Sequence, residues 1–374
     1  MTRAVVIRGM APHEASAVTQ LFSRNLGIVD RIAFQISFED AWKRAPRQQG
    51  GVLVADCEGR LVGSVAVRVQ RLKATQTGFI GALAVDRAQR GRGIGTALVE
   101  GAIAWLEDRG CEVIFATADR YNSPSWNIFI HHGFAVYGVT GQLKDYGVHL
   151  VQLWLAEFHC LGFGTFFLKR GETKVPPRER GDVAHYAAAL LVMALTGGVQ
   201  AARSGAPFLT AALIGAVIGG SVMAHEVAQR LMARRLRLAT TFRVWASGLL
   251  FHGALSLLGG VFPAYGSTYV QQLDYRYDDA HKRLGGVLVA GPLVSLLLAV
   301  AGWSLALVAP GSGLSAAGRA GYTFNLLNLM VNLLPLQAAG GLVWDGRKIL
   351  QWNRGVWGTL VIGALAVIAL DVLV

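Results

Sequence analysis

The sequence predicts two folds in one chain: an α/β domain with a mixed central sheet flanked by helices, then an all-α polytopic membrane domain. Three observations carry this reading. Residues 1–182 hold 22 Lys/Arg and 17 Asp/Glu, whereas residues 183–374 hold 13 Lys/Arg and only 6 Asp/Glu, set between long runs of Leu, Ala, Val and Gly. In the front half a glycine-rich segment, "RGRGIG" at 90–95, joins a strand pattern to a helix pattern. In the back half apolar runs recur at about 183–202, 208–232, 244–263, 284–309, 319–336 and 356–374, against the roughly 20 residues a membrane span needs.

The net charge of +12 points to no nucleic acid partner, because the basic residues do not gather on a reading module. Many flank apolar runs instead (Arg230, Arg234, Arg235, Arg237, Arg243), where the positive-inside rule places them. Cys57, Cys111 and Cys160 show no CxxC spacing and read as reduced thiols of a cytosolic compartment. The opening "MTRAVVIRGM" lacks a signal-peptide core, so the first span is expected to direct insertion.

In the front half, residues 3–8 and "GVLVADCEGRLVGSVAVRVQ" (51–70) read as strands, the latter turning at Glu58-Gly59. The strand "GFIGALAV" (78–85) leads into the glycines at 91, 93 and 95 and then into an amphipathic helix bearing Leu98, Ile103 and Leu106. Such a junction offers free backbone N–H groups and a helix dipole to an anion, and glycine lets a phosphate approach closely. A Rossmann site would want an acidic residue ending the next strand; only Asp119 stands near it.

Arg90-x-x-Gly93-x-Gly95 after "LAVD" resembles the acetyl-CoA loop of the GNAT N-acetyltransferases. "NSPSWNIFIHHGF" (122–134) resembles that family's second signature, and "AVYGVT" and "HLVQLWLAE" resemble its final strands. The resemblance implies a GNAT fold over residues 1–160. Leu83, Ala84 and Val85 would hydrogen-bond the pantetheine arm, and Arg90, Gly91, Arg92, Gly93, Ile94, Gly95 and Thr96 would take the pyrophosphate. Asn122 and Phe129 would complete the cofactor site. Transfer to an amine needs a base and, in many members, a tyrosine that protonates the leaving thiolate. Phe129 stands where that tyrosine is usual, and the strand before the loop holds no carboxylate, so Glu39, Asp119 or a chain of waters is the expected substitute.

A basic linker is expected at 161–182, ending in "LKRGETKVPPRERGD", followed by a transmembrane domain at 183–374. Glu226 lies within an apolar run beside His225, and an intramembrane charge is usually functional. Asp371, in the last run, is expected to reach an interface. Asn325, Asn328 and Asn332 share one helix face by their spacing. "AHEVAQRLMARR", "LVAGPLVSLLLA" (288–299) and "NLLNLMVNLLPLQAAGGLVWDGRKIL" (325–350) resemble, in order, the signatures of the site-2 proteases, intramembrane zinc peptidases of the M50 family. The resemblance implies His225, Gln229 and Asp345 as the metal positions, Glu226 as the catalytic water-activating base and Asn332 as a substrate-cleft residue. Gln229 replaces the second histidine of H-E-x-x-H and offers only a neutral amide oxygen, so zinc is expected weak or absent. His252 is a candidate replacement whose simpler role is a hydrogen-bonded membrane histidine.

These readings combine into a polytopic integral membrane protein with a cytosolic N-terminal domain, five crossings and one re-entrant segment at 244–263. That arrangement brings Asp345 to the side of His225. The expected function is a membrane-tethered acetyl-CoA-dependent N-acetyltransferase, with an amine or protein acceptor and a weakened protease module. The alternatives are an active intramembrane metalloprotease regulated by acetyl-CoA, or a non-enzymatic acetyl-CoA sensor whose pseudoprotease holds a transmembrane-helix client in the lipid bilayer.

Overall fold

The computed structural model describes residues 5–25, 28–120, 122–157, 164–171, 181–270, 284–336 and 344–373. The chain forms two compact units, Met1–Arg178 with Ala338–Leu342 and Glu179–Gln337 with Val343–Val374.

The first unit is built on a seven-stranded sheet ordered β1-β2-β3-β4-β5-β7-β6. Strands β1 (Val5–Gly9), β2 (Gly50–Cys57), β3 (Arg60–Leu72) and β4 (Thr75–Val85) pair antiparallel in sequence order. β5 (Val113–Asp119) joins β4 in parallel, and β7 (Thr165–Arg170) lies antiparallel between β5 and β6 (Ala135–Val136). Alternation along β2 explains why the sheet is covered twice. Val52 and Val54 pack with Val18, Phe22, Phe38 and Ala41 of α1 (Ala15–Asn25) and α2 (Ile28–Arg44). Leu53 and Ala55 face the opposite way, toward Leu98, Val99, Ala102 and Leu106 of α3 (Ile94–Glu107).

Two expectations need correction. "HLVQLWLAE" is no strand but helix α6 (Leu150–Ala156), preceded by α5 (Val139–Tyr146), and "AVYGVT" keeps only the two-residue strand β6. The physical reason is the spacing of Leu150, Leu153 and Trp154, a helical stripe buried against Phe115 and Phe167. Trp154 Nε1 donates to Gln142 Oε1 at 2.6 Å, and Gln142 Nε2 donates to the Tyr137 carbonyl at 2.6 Å, which ties α6 to α5. The outer strand is supplied by "TFFLKR", residues that the expected 161–182 linker had included. Its Leu168 is fully buried, and its backbone pairs with β5 along Ile114–Asp119.

The second unit is mostly helical: α7 (Asp182–Arg203), α8 (Phe208–Arg235), α9 (Ala246–Leu257), α10 (Ala290–Val308), α11 (Gly313–Leu333), α12 (Asp345–Trp352) and α13 (Arg354–Leu373). A two-stranded sheet, β8 (Thr240–Val244) with β9 (Gly266–Val270), accompanies them. Four helices among the described residues are long and apolar enough to cross a membrane: Asp182–Arg203, Phe208–Arg235, Leu284–Val308 and Arg354–Leu373. At 12 residues, α9 reaches only about 18 Å, short of a bilayer core of about 30 Å. α11 has 21 residues but carries Arg319 and the three asparagines; Arg319 pairs with Asp371 of α13 at 2.9 Å.

Small residues set the helix packing. A Cβ at Gly215 of α8 would stand 2.5 Å from the Ala194 carbonyl of α7, and one at Gly302 of α10 would stand 2.7 Å from the Gly318 carbonyl of α11. Bare backbones therefore meet at both contacts, as in membrane helix pairs. Asp182, in the first turn of α7, accepts from Arg230 (2.6 Å), Arg243 (2.6 Å) and Thr241 (2.7 Å), and so fastens α8 and β8 to that helix.

Candidate functional site

Each unit holds a constellation of its own. In the first, β4 ends at Val85, and Asp86 caps the turn that follows by accepting from the Ala88 amide at 3.0 Å. Gly91 (φ +78°) and Gly93 (φ +77°) then take left-handed backbone, which glycine adopts without strain. α3 opens at Ile94 with no side-chain cap on Gly93, so the amides of Ile94, Gly95 and Thr96 lack helical acceptors. A Cβ at Gly95 would lie 3.1 Å from Ile128 Cδ1, so α4 (Ser123–His131) packs tightly against this first turn. Such a start, a cradle of backbone N–H groups and helix dipole, has the chemistry to hold an anion. Arg92 Nη1 donates to Gln89 Oε1 at 2.6 Å, and Arg90 Nε reaches the Val85 carbonyl at 3.4 Å.

Beside the cradle the sheet opens. β4 and β5 pair from Thr77↔Val113 to Ile80↔Ala116 and no further, although β4 runs on to Val85 and β5 to Asp119. β4 carries an irregularity there, with Ala82 at φ +48° and a register shift against β3 between Ser64 and Ala66. Leu83, Ala84 and Val85 therefore line one lip of a splay.

The remaining candidates scatter. Asn122 caps α4, its Oδ1 accepting from the Ser125 amide at 3.3 Å. Phe129 is 2% exposed, with its ring edge-on to Phe134 at 5.2 Å, and belongs to the core. Glu39 faces outward, bonded to Gln35 at 2.9 Å and near Lys43 at 3.5 Å. Asp119 ends β5 opposite Thr165. The residue that turns to the sheet is Asp40, 3.2 Å from Arg68 of β3, and Arg68 also meets buried Glu157 at 3.4 Å. Sequence reasoning passed over Glu157; the available signal was a lone carboxylate inside the apolar run "LWLAEFHCLGF".

In the second unit His225, Glu226, Gln229 and Asp345 do come together, all buried. Gln229 lies one turn after His225 on α8. Its Nε2 donates to Asp345 Oδ2 at 2.8 Å and lies 3.1 Å from His225 Nε2. His225 Nε2 and Asp345 Oδ2 are 4.0 Å apart, so the amide nitrogen occupies the space between them. Behind the ring, His225 Nδ1 meets Ser295 Oγ (3.0 Å) and Asn328 Nδ2 (3.3 Å), and Asn328 also donates to Ser295 (3.1 Å). Asn332 Nδ2 donates to Asn328 Oδ1 at 2.9 Å. Thr268 of β9 donates to Glu226 Oε2 at 3.1 Å, and fully buried Lys348 places Nζ 3.7 Å from Asp345 Oδ1. A Cβ at Gly291 of α10 would fall 2.3 Å from His225 Nε2, so only glycine leaves this cluster room.

The donor set does not match a three-ligand zinc site. Two strong ligands face a carboxamide that points its N–H, not its oxygen, at Asp345, while Gln229 Oε1 is buried without a partner. No group of three His, Cys, Asp or Glu suited to a metal occurs among the described residues. His252 lies apart, bonded to Thr196 Oγ1 (2.8 Å) and the Phe262 carbonyl (3.0 Å). Sequence reasoning missed Ser295, Thr268 and Lys348, which reach the cluster from other elements.

A mixed sheet splayed beside a glycine-rich helix start, followed by apolar helices around a histidine–carboxylate cluster, defines a two-part membrane-type protein. The family model of GNAT acetyltransferases matches residues 16–134, and the first unit has the GNAT fold. Over 142 residues the chain is 33% identical to the protein named "Putative zinc metalloprotease MJ0611" of Methanocaldococcus jannaschii, a match covering 37% of this chain and 70% of that protein. The chain belongs to that protein's family, the site-2-protease-like zinc metalloproteases, and carries a GNAT domain in addition.

Solved structures similar to the chain include glucosamine-6-phosphate N-acetyltransferase from Arabidopsis thaliana (19% identity, TM-score 0.28, 33% of this chain and 88% of that one). Another is PaiA N-acetyltransferase from Thermoplasma acidophilum in complex with coenzyme A (11% identity, TM-score 0.33, 45% of this chain and 99% of that one).

Proposed function

We propose that the protein is a membrane-tethered N-acetyltransferase that uses acetyl-CoA, its front domain lying in the cytosol and its back module holding zinc weakly or not at all. The observation that carries the reading is the bare helix start at Gly93–Thr96, set beside the splay lined by Leu83–Val85. Backbone amides there take the pyrophosphate, and free strand edges take the amide-bearing pantetheine arm. Arg90 and Arg92 add positive charge. The acceptor is an amine, of a small molecule or of a protein. Calorimetry tests this on the full chain in detergent. Arg90→Glu sets a carboxylate against the pyrophosphate and should weaken acetyl-CoA binding by about 10- to 100-fold, the worth of one charge-assisted hydrogen bond. Equal affinity of wild type and variant refutes the assignment.

A second reading, an intramembrane metalloprotease under acetyl-CoA control, draws on the meeting of His225, Glu226 and Asp345 in one buried cluster. Against it stands Gln229, a carboxamide where the second strong ligand would be needed, with its N–H bonded to Asp345 Oδ2. With its second imidazole gone, the module reads as protease-derived and suited to holding a transmembrane-helix client.

A further inference from the structure

The transfer reaction lacks a base on β4, and the structure offers one from elsewhere. Glu157 closes α6 with its side chain 4% exposed. Its Oε2 accepts from Thr117 Oγ1 at 3.4 Å, and its Oε1 lies 3.4 Å from Arg68 Nη2. Arg68 is divided, since it also bonds Asp40 Oδ2 (3.2 Å) and the Ala156 carbonyl, so Glu157 has only a share of its charge. Thr117 is the first residue of β5 beyond the last pair with β4, Ile80↔Ala116. Ile80 and Ala116 face α3; by strand alternation Gly81 and Thr117 face the other way. A Cβ at Gly81 would lie 3.0 Å from Ser37 Oγ of α2. Glu157, Thr117 and Ser37 therefore gather on one face of the sheet, at the mouth where β4 and β5 part.

We propose that Glu157 is the general base of acetyl transfer, accepting a proton from a primary amine that enters the splay from the face covered by α2 and α6. The inference rests on the acetyltransferase reading. Glu157 takes the proton from the attacking nitrogen as the new C–N bond forms at the thioester carbonyl carbon. The C–S bond breaks with its electron pair on sulfur. The CoA thiolate takes a proton from water, and Glu157 releases its own to water. Burial pushes the Glu157 carboxyl up to about 7, while the Arg68 charge and the Thr117 hydrogen bond pull it down. A base near the operating pH is what proton abstraction favours. Among the described residues the charged groups around it are Arg68 from β3 and, through Arg68, Asp40 from α2; Lys169 of β7 is engaged with Asp145 at 2.9 Å.

The test uses the full chain in detergent with acetyl-CoA and three amine probes: spermidine, a peptide with a free N-terminus, and an N-blocked lysine peptide. Wild-type transfer should rise with pH through about 7 as the carboxylate ionises. Glu157→Gln should lower transfer about 100-fold and abolish that inflection, with acetyl-CoA affinity, which also reports folding, kept within about twofold. Thr117→Val removes a donor to the charged carboxylate and should move the inflection to higher pH, which a purely structural threonine would not do. Wild-type rates in Glu157→Gln or an unmoved inflection in Thr117→Val overturns the proposal alone, whereas no transfer to any probe by wild type that binds acetyl-CoA overturns the acetyltransferase reading with it. Failure of wild type to bind acetyl-CoA overturns the underlying reading as well.

Discussion

Removing the Asp345 carboxylate probes whether the buried cluster of the second unit is a closed polar net. Asp345 accepts from Gln229 Nε2 at 2.8 Å and faces Lys348 Nζ at 3.7 Å, with Asp345 7% and Lys348 0% exposed. A charge-assisted hydrogen bond is worth about 1.5–3 kcal/mol, and leaving one member of a buried ion pair without the other brings the cost to about 3–5 kcal/mol. Asp345→Ala should therefore destabilise the unit by about that amount. Lys348→Met in the same chain should recover most of it, because an apolar replacement of a whole buried pair is often neutral. The double-mutant cycle should give a coupling of at least about 2–3 kcal/mol, because the recovered part of the cost enters it whole. Denaturant unfolding in detergent micelles, followed by tryptophan fluorescence with and without chelator, measures all four chains. Asp345→Ala within about 0.5 kcal/mol of wild type refutes the net. So does a wild-type chain that loses the same stability to chelator alone, since the carboxylate would then be holding a metal.

Two further outcomes can be measured, the first from the same cluster and the second from the proposed topology, in which α11 crosses as well. Gln229→His replaces a donating amide with an imidazole between His225 and Asp345, so metal analysis at equal expression should show zinc occupancy rising. Near-stoichiometric zinc in the natural protein, lost in His225→Ala, would show that Gln229 or His252 is a working ligand. In a chain without its native cysteines, Ser312→Cys should react with an impermeant thiol reagent from outside and Arg354→Cys only from the cytosol; labelling of residue 354 from outside breaks the proposed topology.

The sequence by itself determined what depends on local pattern. Glycines at 91, 93 and 95 between a strand and an amphipathic helix specify the left-handed turn and the uncapped helix start, because left-handed backbone and bare amides are properties of the segment itself. Four of the six apolar runs likewise marked the helices long and apolar enough to span, since length and hydropathy are counted along the chain. His225 and Gln229 share a helix face whatever surrounds them. Tertiary structure decided the rest. "HLVQLWLAE" is apolar enough for strand or helix, and its burial against Phe115 and Phe167 chose the helix. "TFFLKR" became the strand between β5 and β6 because only the folded sheet offered it paired edges on both sides. Glu157 reaches Arg68 across 89 residues, and Gln229 reaches Asp345 across 116. Those contacts are set by which elements pack together, a choice made by burial summed over the whole unit and written in no short window of sequence.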